Sequence, residues 1–376
     1  MTADITGLFV ELQDQVASCD SDTSTQQLIY LAELCLDAAI TSSSSVFHSS
    51  QFILSDSADS ADRIFFDEYA KTLYIRDSDG YRTVGEKQRT FQGEISGFLS
   101  GGNTATLTNR IEEYSFVNDA NSTFHGALSN QLELSAGQSS ETHGYSSGGS
   151  LSSASNVIDK FSFTSPANTT NIGNLTLSRH SSAGCSAATY QVGYTAGGES
   201  INNVIDRFSF TSDGNASDVG DLSANKFGAT GSSSNTDGYV SGGNNANSTV
   251  IDKFSFTKSN TDAINIGALS SAANNGTGLS SILGYGYNVY TDLLNNNVVD
   301  KFSFSTDGNA SDVGDLTIIV ENFAGGTSST ERGYIAGGGD ATRIDTIQKF
   351  SFYTDGTSID VGDLSNATNK GSSQQY

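Results

Sequence analysis

One sequence motif recurs at a nearly constant interval over most of the chain. The segment NVIDRFSFTSDGNASDVGDL at 203–222 returns almost unchanged as NVVDKFSFSTDGNASDVGDL at 297–316. Aligning the last Phe of each IDKFSF-like run gives six positions, separated by 47, 47, 46, 48 and 48 residues: Phe116, Phe163, Phe210, Phe256, Phe304 and Phe352. A chain with this period must build similar units that stack on one another, because a single unit cannot bury both of its faces alone.

Two further markers keep the same step. The first is a GYxxGG-like hexapeptide, written GFLSGG at 97, GYSSGG at 144, GYTAGG at 193, GYVSGG at 238, GYGYNV at 284 and GYIAGG at 333. The second closes the units with IGNL (172–175), VGDL (219–222), IGAL (266–269), VGDL (313–316) and VGDL (361–364). A period in the high forties is typical of four-stranded propeller blades. The sequence therefore predicts a mainly β fold with a six-bladed β-propeller over residues 91–376.

The residues inside one unit indicate where its strands lie. The 40 Gly, single Pro, 21 Phe and 15 Tyr suit short strands with glycine-built turns and an aromatic core. We place the four strands of a unit in SSAGCSAATY (181–190), VGYTAGG (192–198), VIDRFSF (204–210) and the stretch ending with VGDL (219–222). The paired glycines are expected near the crowded axis, where a side chain would clash. The C-terminal NKGSSQQY (369–376) resembles the first-strand segments and is expected to complete the first blade.

The first ninety residues follow a different pattern. Apolar residues recur at helical spacing between Leu8 and Val16 and again between Leu28 and Cys35, which predicts a short helical hairpin within residues 1–45. Residues 46–90 alternate polar and apolar side chains in the manner of a β-meander. Neither piece is large enough for a good core of its own, so we expect the helical segment to anchor the chain to a partner or to other copies of itself.

Charge and hydropathy exclude several functions. Lys+Arg 18 against Asp+Glu 42 gives a net charge of −24, which repels the phosphates that a nucleic-acid binder must neutralise. No apolar run is long enough to insert into a bilayer, and the N-terminal MTADITGLFVELQDQ lacks the pattern of a secretory signal. Cys19, Cys35 and Cys185 are far apart, so reduced thiols are expected rather than a disulfide framework or a zinc site.

The titratable residues do not form a recognisable catalytic or metal-binding pattern. His48, His125, His143 and His180 lack metal-ligand spacing and are expected on the surface or in loops. The DGNASD copies offer four candidate cation ligands, although a hairpin turn is the preferred interpretation: Asp213, Asp218, Asp307 and Asp312. The Asp-Lys or Asp-Arg pairs of VIDKF, such as Asp159-Lys160, recur in four units, so they indicate pairing between neighbouring blades rather than a unique site. We therefore predict no cofactor and no enzymatic activity.

The fifth unit and the loops after the second strand supply the candidate binding residues. The fifth unit has GYGYNVYTDLL in place of GYxxGG, and four of its residues are a candidate platform on which a sugar would stack: Tyr285, Tyr287, Asn288 and Tyr290. A locally repacked blade is the alternative and the preferred interpretation. The loops between second and third strands vary on a repeated frame, and one of them contributes Asn244, Asn245 and Asn247 as candidate contacts.

These motifs carry a resemblance to a known family. GYxxGG followed by VIDKFSF and DGNASDVGDL resembles the kelch-type propeller repeats of virion proteins from marine bacteriophages, especially cyanophages. The segment DRIFFDEYAKTLYIRDSDG at 62–80 is similar to elements of phage fibre and tail proteins. The chain has no Trp, whereas cellular kelch repeats carry one in the fourth strand, so the partners of those cellular proteins are not implied for it.

The resemblance implies a non-enzymatic virion structural protein that is assembled in the host cytoplasm. It implies a tail fibre or appendage whose propeller is displayed outward and adheres to a glycan or protein of the host surface. The N-terminal region is then expected to bind other virion proteins and to form a homo-oligomer. Analogy with phage fibres suggests that this homo-oligomer is a trimer. Three alternatives stay open: a capsid decoration protein, a cytosolic kelch scaffold for a protein partner, and a propeller enzyme that degrades polysaccharide.

Overall fold

The chain divides into two units, residues 1–89 and residues 90–376. The computed structural model describes the second unit from residue 93 onward, except for 200–202, 244–247, 259–261, 274, 292–296, 319–323 and 340–341. In the first unit it describes the backbone of 52–53, 63–67, 72–77 and 80–84. The predicted helical hairpin, together with Cys19, Cys35 and His48, lies outside the described residues.

The described part of the first unit is a four-stranded antiparallel sheet. Its strands are β1 (Phe52–Ile53), β2 (Arg63–Asp67), β3 (Thr72–Asp77) and β4 (Gly80–Val84), and they pair in chain order. Asp77 lies opposite Gly80, so two residues connect β3 and β4. An antiparallel sheet in chain order is the arrangement of a β-meander.

Six four-stranded antiparallel sheets make up the second unit and confirm the predicted six-bladed propeller. Blade I contains β5 (Ser96–Ser100), β6 (Arg110–Ser115) and β7 (Thr123–Ala127). Blade II contains β8 (Ala136–Ser139), β9 (His143–Ser147), β10 (Val157–Ser162) and β11 (Thr170–Asn174). Blade III contains β12 (Ala183–Ala187), β13 (Val192–Ala196), β14 (Val204–Ser209) and β15 (Ser217–Asp221).

The remaining blades have the same plan. Blade IV contains β16 (Thr230–Ser233), β17 (Asp237–Ser241), β18 (Val250–Ser255) and β19 (Ile264–Ala268). Blade V contains β20 (Thr277–Ser281), β21 (Tyr285–Thr291), β22 (Asn297–Ser303) and β23 (Ser311–Asp312). Blade VI contains β24 (Gly325–Ser328), β25 (Arg332–Ala336), β26 (Thr346–Ser351) and β27 (Ile359–Asp363), and the last strand, β28 (Ser372–Gln375), is the first strand of blade I.

The C-terminal strand closes the ring, as NKGSSQQY predicted. β28 pairs antiparallel with β5, so that Ser372 lies opposite Ser100 and Gln375 opposite Gly97. Each first strand contacts the first strands of both neighbouring blades, which places these six strands around the axis. Because the chain supplies the missing strand itself, blade I has the same four strands as the others and β5 is paired on both edges.

A circle of six hydrogen bonds runs around the axis at the ends of the first strands. In each bond a backbone N–H donates to a side-chain oxygen of the next blade, at 2.7–3.0 Å. The donors and acceptors are, in order, Ser139 to Ser186, Ser186 to Ser233, Ser233 to Ser280, Ser280 to Ser328, Ser328 to Gln375 and Gln375 to Ser139. The C-terminal strand therefore fills one of six equivalent places, with an amide oxygen in place of a hydroxyl.

Six aromatic stacks join the blades further out. The ring in the second strand of each blade stacks on the last Phe of the repeat in the next blade, with centroids 4.6–5.0 Å apart. The pairs are Phe98–Phe163, Tyr145–Phe210, Tyr194–Phe256, Tyr239–Phe304, Tyr287–Phe352 and Tyr334–Phe116. Each pair stabilises its interface by about 0.5–1.5 kcal/mol beyond area burial. Each last Phe of the sequence repeat therefore marks one interface between blades.

The glycines at the axis are not the paired glycines, which corrects the sequence-based expectation. A Cβ on Gly231 of β16 would lie 2.0 Å from the carbonyl oxygen of Gly184, and one on Gly184 would lie 2.2 Å from that of Gly137. These first-strand glycines let neighbouring backbones touch. The paired glycines instead follow the second strand in a left-handed conformation, for example Gly148 at φ 69° and Gly149 at φ 97°, where the chain turns towards the third strand.

The second strand of blade V is displaced by two residues from the register that GYGYNV at 284 indicated. Gly286 lies opposite Phe302, as Gly193 lies opposite Phe208 in blade III. Tyr287, rather than Tyr285, therefore holds the repeat position of the second-strand tyrosine. The paired glycines are replaced by Tyr290 and Thr291, so β21 and β22 continue as regular strands for seven residues each.

Candidate functional site

The two faces of the propeller carry different connections. The A–B face, as we name it, carries the turns from first to second and from third to fourth strands; the B–C face carries the loops from second to third strand and from blade to blade. The chain enters on the A–B face, where Gly93 N donates to Ser328 O at 2.8 Å and Ile95 N donates to Tyr376 O at 2.7 Å. Tyr376 ends the unit on this same face, so the B–C face lies opposite both ends.

A partial ring of backbone hydrogen bonds, described for five of the six loops between blades, lies around the axis on the B–C face. Five residues in the loops from blade to blade are left-handed, with φ of 62°, 57°, 66°, 60° and 60° at Leu134, Ser181, Gly228, Asn275 and Lys370. Leu134 N donates to Lys370 O, Ser181 N to Leu134 O, Gly228 N to Ser181 O and Asn275 N to Gly228 O, at 2.7–2.9 Å. The sixth repeat position falls within 319–323, outside the described residues. These bonds hold Leu134 in the left-handed conformation, which residues with a bulky side chain rarely adopt.

This ring frames a cavity of about 100 Å³ on the propeller axis. The described lining comes from the beginnings of the first strands and includes seven hydroxyl-bearing residues: Ser135, Ser181, Ser182, Thr230, Thr277, Ser372 and Ser373. None of the described lining residues has an ionisable side chain. The cavity therefore offers hydroxyl and peptide groups for hydrogen bonding, and its described lining places no acidic or basic side chain beside these hydroxyls.

The candidate tyrosine platform of blade V is mostly buried, which corrects the prediction of an exposed stacking surface. Tyr287, Asn288 and Tyr290 are each 0% exposed. Tyr287 is one of the six stacked rings and its hydroxyl donates to Asp355 Oδ1 at 3.0 Å. Tyr285 is half-buried, with Lys301 Nζ 4.4 Å above its ring centroid. The preferred alternative, a locally repacked blade, describes Tyr290, whereas Tyr287 holds the regular second-strand position.

Tyr290 replaces a buried cation. In blades III and IV, buried cations approach the third-strand aspartates: Arg179 Nη2 lies 2.6 Å from Asp206 Oδ2, and Lys226 Nζ lies 3.3 Å from Asp252 Oδ2. Burial lowers the pKa of both cations, although the aspartates oppose that shift. In blade V the Tyr290 hydroxyl donates to Asp300 Oδ2 at 2.9 Å instead, and burial raises its pKa to about 12. The hydroxyl thus stays protonated and acts as a donor.

The VIDKF aspartates join each blade to the preceding loop, which bears out their interpretation as contacts between blades. Asp206 accepts hydrogen bonds from Thr176 N at 2.8 Å and Thr176 Oγ1 at 2.7 Å. Asp159 binds Ser129 in the same way, through N at 2.9 Å and Oγ at 2.8 Å. Both aspartates are fully buried, and hydrogen bonds of this charge-assisted kind offset the cost of burying a carboxylate.

The candidate cation ligands of DGNASD are engaged within the protein. Lys160 Nζ lies 2.5 Å from Asp213 Oδ1, and Lys253 Nζ lies 3.0 Å from Asp307 Oδ1, so each aspartate pairs with a lysine of the preceding blade. Asp218 and Asp312 accept the backbone N–H two residues further on, at 3.1 and 3.2 Å. In the described part of the chain no three potential metal ligands converge. Asp213 and Asp307 lie between the third and fourth strands, as the turn interpretation expects, whereas Asp218 and Asp312 lie in the fourth strands β15 and β23.

His125 departs from the expectation of a surface or loop residue. It is 2% exposed, in β7 of blade I, at the repeat position that Ile172 occupies in blade II. Its Nδ1 lies 2.8 Å from Glu113 Oε2 and its Nε2 lies 2.8 Å from Ser162 O in blade II. Both partners are acceptors when Glu113 is ionised, so the doubly protonated imidazolium satisfies both contacts. A His at a position that is aliphatic in the repeat is the sequence signal for this contact.

The other predicted contacts divide between described and undescribed residues. Asn244, Asn245 and Asn247 lie outside the described residues.

Cys185 is a free, buried thiol. Burial raises its pKa to about 12, so it stays protonated. The described part of the chain contains no helix that is long and apolar enough to span a membrane.

Two comparisons of the sequence were without a match. No protein-family model matches the chain, and no curated protein matches its sequence. The assignment of the fold therefore depends on the repeat and on the six closed blades.

Proposed function

We propose that this chain is a non-enzymatic structural protein of a bacteriophage particle, a tail fibre or appendage whose propeller adheres to the host surface. The N-terminal region holds the chain in the particle and joins copies of it. The B–C face of the propeller contacts a glycan of the host cell. The kelch-like motifs GYxxGG, VIDKFSF and DGNASDVGDL support the virion part of this proposal by resemblance.

The observation that carries the proposal is that the chain enters the propeller on the A–B face. Gly93 and Tyr376 both lie on the A–B face. A propeller held through the residues before Gly93 therefore has its point of attachment on that side. The B–C face, with its variable loops and axial cavity, is the face of the propeller unit opposite to Gly93.

The chemistry of the B–C face fits a neutral ligand with many hydroxyl groups. The described cavity lining consists of hydroxyls, methyl groups and peptide groups. The loop at 149–156, GSLSSASN, is rich in hydroxyl and amide groups. Such groups exchange hydrogen bonds with sugar hydroxyls without a compensating charge. The net charge of −24 repels anionic cell surfaces, so adhesion must come from specific contacts rather than from general electrostatic attraction.

The test combines detection in particles with competition for adsorption. Quantitative mass spectrometry of purified particles should find the chain, and the purified full-length protein should slow particle adsorption to host cells. The variant Leu151→Asp/Leu177→Asp changes two apolar residues of the B–C face that are 49% and 48% exposed, and it should lose this competition. The control Ile264→Asp/Ile282→Asp changes residues that are 59% and 43% exposed towards the A–B side, and it should compete like the wild type.

The remaining outcomes identify the alternatives. Absence of the chain from particles would contradict the proposal and favour a cytosolic scaffold. Presence over the whole capsid, without competition for adsorption, would favour a decoration protein. Release of reducing ends from host polysaccharide by the purified protein would favour the enzyme.

A further inference from the structure

Blades VI and I carry an exposed apolar surface on the A–B side of the propeller. It consists of Ile95, Val117, Phe124, Tyr353 and Ile359, whose exposed fractions are 47%, 70%, 55%, 59% and 55%. We name these five residues the seam patch. Large apolar side chains exposed together mark interaction surfaces in soluble proteins more often than single exposed ones do.

One hydrogen bond within blade I and one between blades I and VI relate parts of the seam patch to one another. Phe116 N donates to Ile95 O at 2.9 Å, which places Ile95 beside the turn that begins at Val117. At the other end of that turn, Ser122 N donates to Asp363 O in β27 at 2.8 Å, so the turn of blade I lies against the outer strand of blade VI. The turn of blade I and the outer strand of blade VI, which both carry patch residues, are therefore neighbours across one interface between blades.

The other blades show that the repeat does not require apolar residues here. The position of Val117 and Tyr353 is polar in the four other blades, where it holds Thr164, Thr211, Thr257 and Ser305. The position of Phe124 is polar in all five other blades, where it holds Asn171, Asp218, Asn265, Asp312 and Asp360. The apolar substitutions concentrate on the two blades that flank Gly93, where the chain enters the propeller.

We propose that the seam patch is the contact surface between the propellers of two or more copies of this chain. An assembly that joins N-terminal regions holds the points where the chains enter their propellers close together, and it thereby raises the effective concentration of one seam patch near another. The net charge of −24 opposes contact between copies elsewhere on the surface. At the seam, Asp119 is neutralised by Lys349, whose Nζ lies 2.5 Å from its Oδ1.

A second copy therefore fits the patch, because two like apolar surfaces can bury one another, and Asp119 beside them is paired with Lys349 as the equivalent aspartates are paired in other blades. The contact is between like patches, as expected for a symmetric homo-oligomer. This inference rests on the homo-oligomer that is part of the proposed function.

The first test changes the patch to the polar residues of the repeat in the full-length chain. The variant Val117→Thr/Tyr353→Thr/Ile359→Ser should weaken self-association by about tenfold or more in sedimentation velocity, as the loss of interface anchors does. Ile264→Ser is the matched control, because Ile264 holds the same repeat position as Ile359 and is 59% exposed, but on blade IV. Its self-association should equal that of the wild type. Equal association of the patch variant and the wild type would overturn the inference.

The second test locates the contact by chemical crosslinking. In a Cys19→Ser/Cys35→Ser background, Asn118→Cys on blade I should crosslink copies with a short bismaleimide, and Ser212→Cys at the equivalent turn position of blade III should not. Equal crosslinking at both positions would contradict a contact at the seam. A chain that is present in particles but monomeric at all concentrations would overturn this inference and leave the virion role standing, whereas absence from particles would overturn the proposed function.

Discussion

The hydroxyl of Tyr290 donates a hydrogen bond to the Asp300 carboxylate at 2.9 Å, at the place where Lys226 approaches Asp252 in the preceding blade. A neutral donor in the second strand of blade V thus takes the part that a loop cation has in blade IV. Asp300 is fully buried and also accepts a hydrogen bond from Ser270 N at 2.8 Å. Blade V has therefore changed its donor and kept the buried carboxylate.

Tyr290→Phe should destabilise the protein, because it removes one donor from a buried carboxylate. We expect a loss of about 1–3 kcal/mol in the free energy of unfolding, measured by urea denaturation. Tyr285→Phe removes the same atom from a half-buried ring on the same strand and should change that free energy by less than about 0.5 kcal/mol. An equal effect of the two substitutions would contradict the role assigned to the Tyr290 hydroxyl.

Removing residues 372–376 should abolish cooperative folding of the propeller. The deletion takes away β28, the Gln375 hydrogen bonds of the axial circle and the Tyr376 ring, which stacks on Phe163 with centroids 5.3 Å apart. Gln375→Ser is the control, because the other blades hold serine in this place, and it should cost no more than about 1 kcal/mol. A truncated chain that keeps the wild-type urea midpoint would show that β28 does not close the ring.

Gly231→Ala should be strongly destabilising although an alanine is the smallest possible addition. Its Cβ would lie 2.0 Å from the carbonyl oxygen of Gly184, and neither backbone has room to move within the ring of first strands. We expect a loss of about 1–3 kcal/mol or more in the free energy of unfolding. Gly214→Ala, where a Cβ meets nothing within 4 Å, should be neutral or slightly stabilising in the same measurement.

The contact of His125 predicts a pH dependence of stability. Burial acts to lower the pKa of His125, but the hydrogen bonds to Glu113 and Ser162 and the charge of Glu113 outweigh it and raise the pKa above 6.5. The stabilisation by His125 is then complete below pH 6.5 and is lost as the pH rises through the raised pKa. The difference in unfolding free energy between the wild type and His125→Val should therefore shrink as the pH is raised.

Two other groups near this contact, His143 and Glu113, also have shifted pKa values. Burial and Lys160 lower the pKa of His143, so its own contribution is lost as the pH falls through that lowered pKa. The hydrogen bond from His125 lowers the pKa of Glu113, whose contribution is lost at still more acidic pH. The control His143→Gln removes the contribution of His143 to the pH dependence of stability. A difference between the wild type and His125→Val that stays constant with pH would contradict an imidazolium at this interface.

The fold was predictable from the sequence because each sequence repeat corresponds to one four-stranded blade. The last Phe of each unit marks an aromatic stack between blades, and the similarity of SSQQ to other first strands predicted closure. The register of blade V was not predictable, since Gly284-Tyr285 and Gly286-Tyr287 both satisfy the motif and only the pairing of Gly286 with Phe302 distinguishes them.

The site was less predictable than the fold. Two tyrosines that suggested an exposed platform are buried. Tyr287 stacks on Phe352 of the next blade, far along the chain, and Tyr290 contacts Asp300 on the neighbouring strand. Burial of this kind depends on which blade faces which residue, and the motif alone does not contain that information. Comparing repeat positions across blades recovers part of it, as His125 and the seam patch show.

The most direct test of the account is the orientation of the propeller in intact particles. Ser152→Cys lies in a B–C loop of blade II and Ser212→Cys lies on the A–B face of blade III, and both positions are exposed. We predict that a bulky maleimide attached at residue 152 blocks adsorption of the particles to host cells, whereas the same label at residue 212 leaves adsorption unchanged. Blocked adsorption from residue 212 and normal adsorption from residue 152 would contradict a host-binding B–C face.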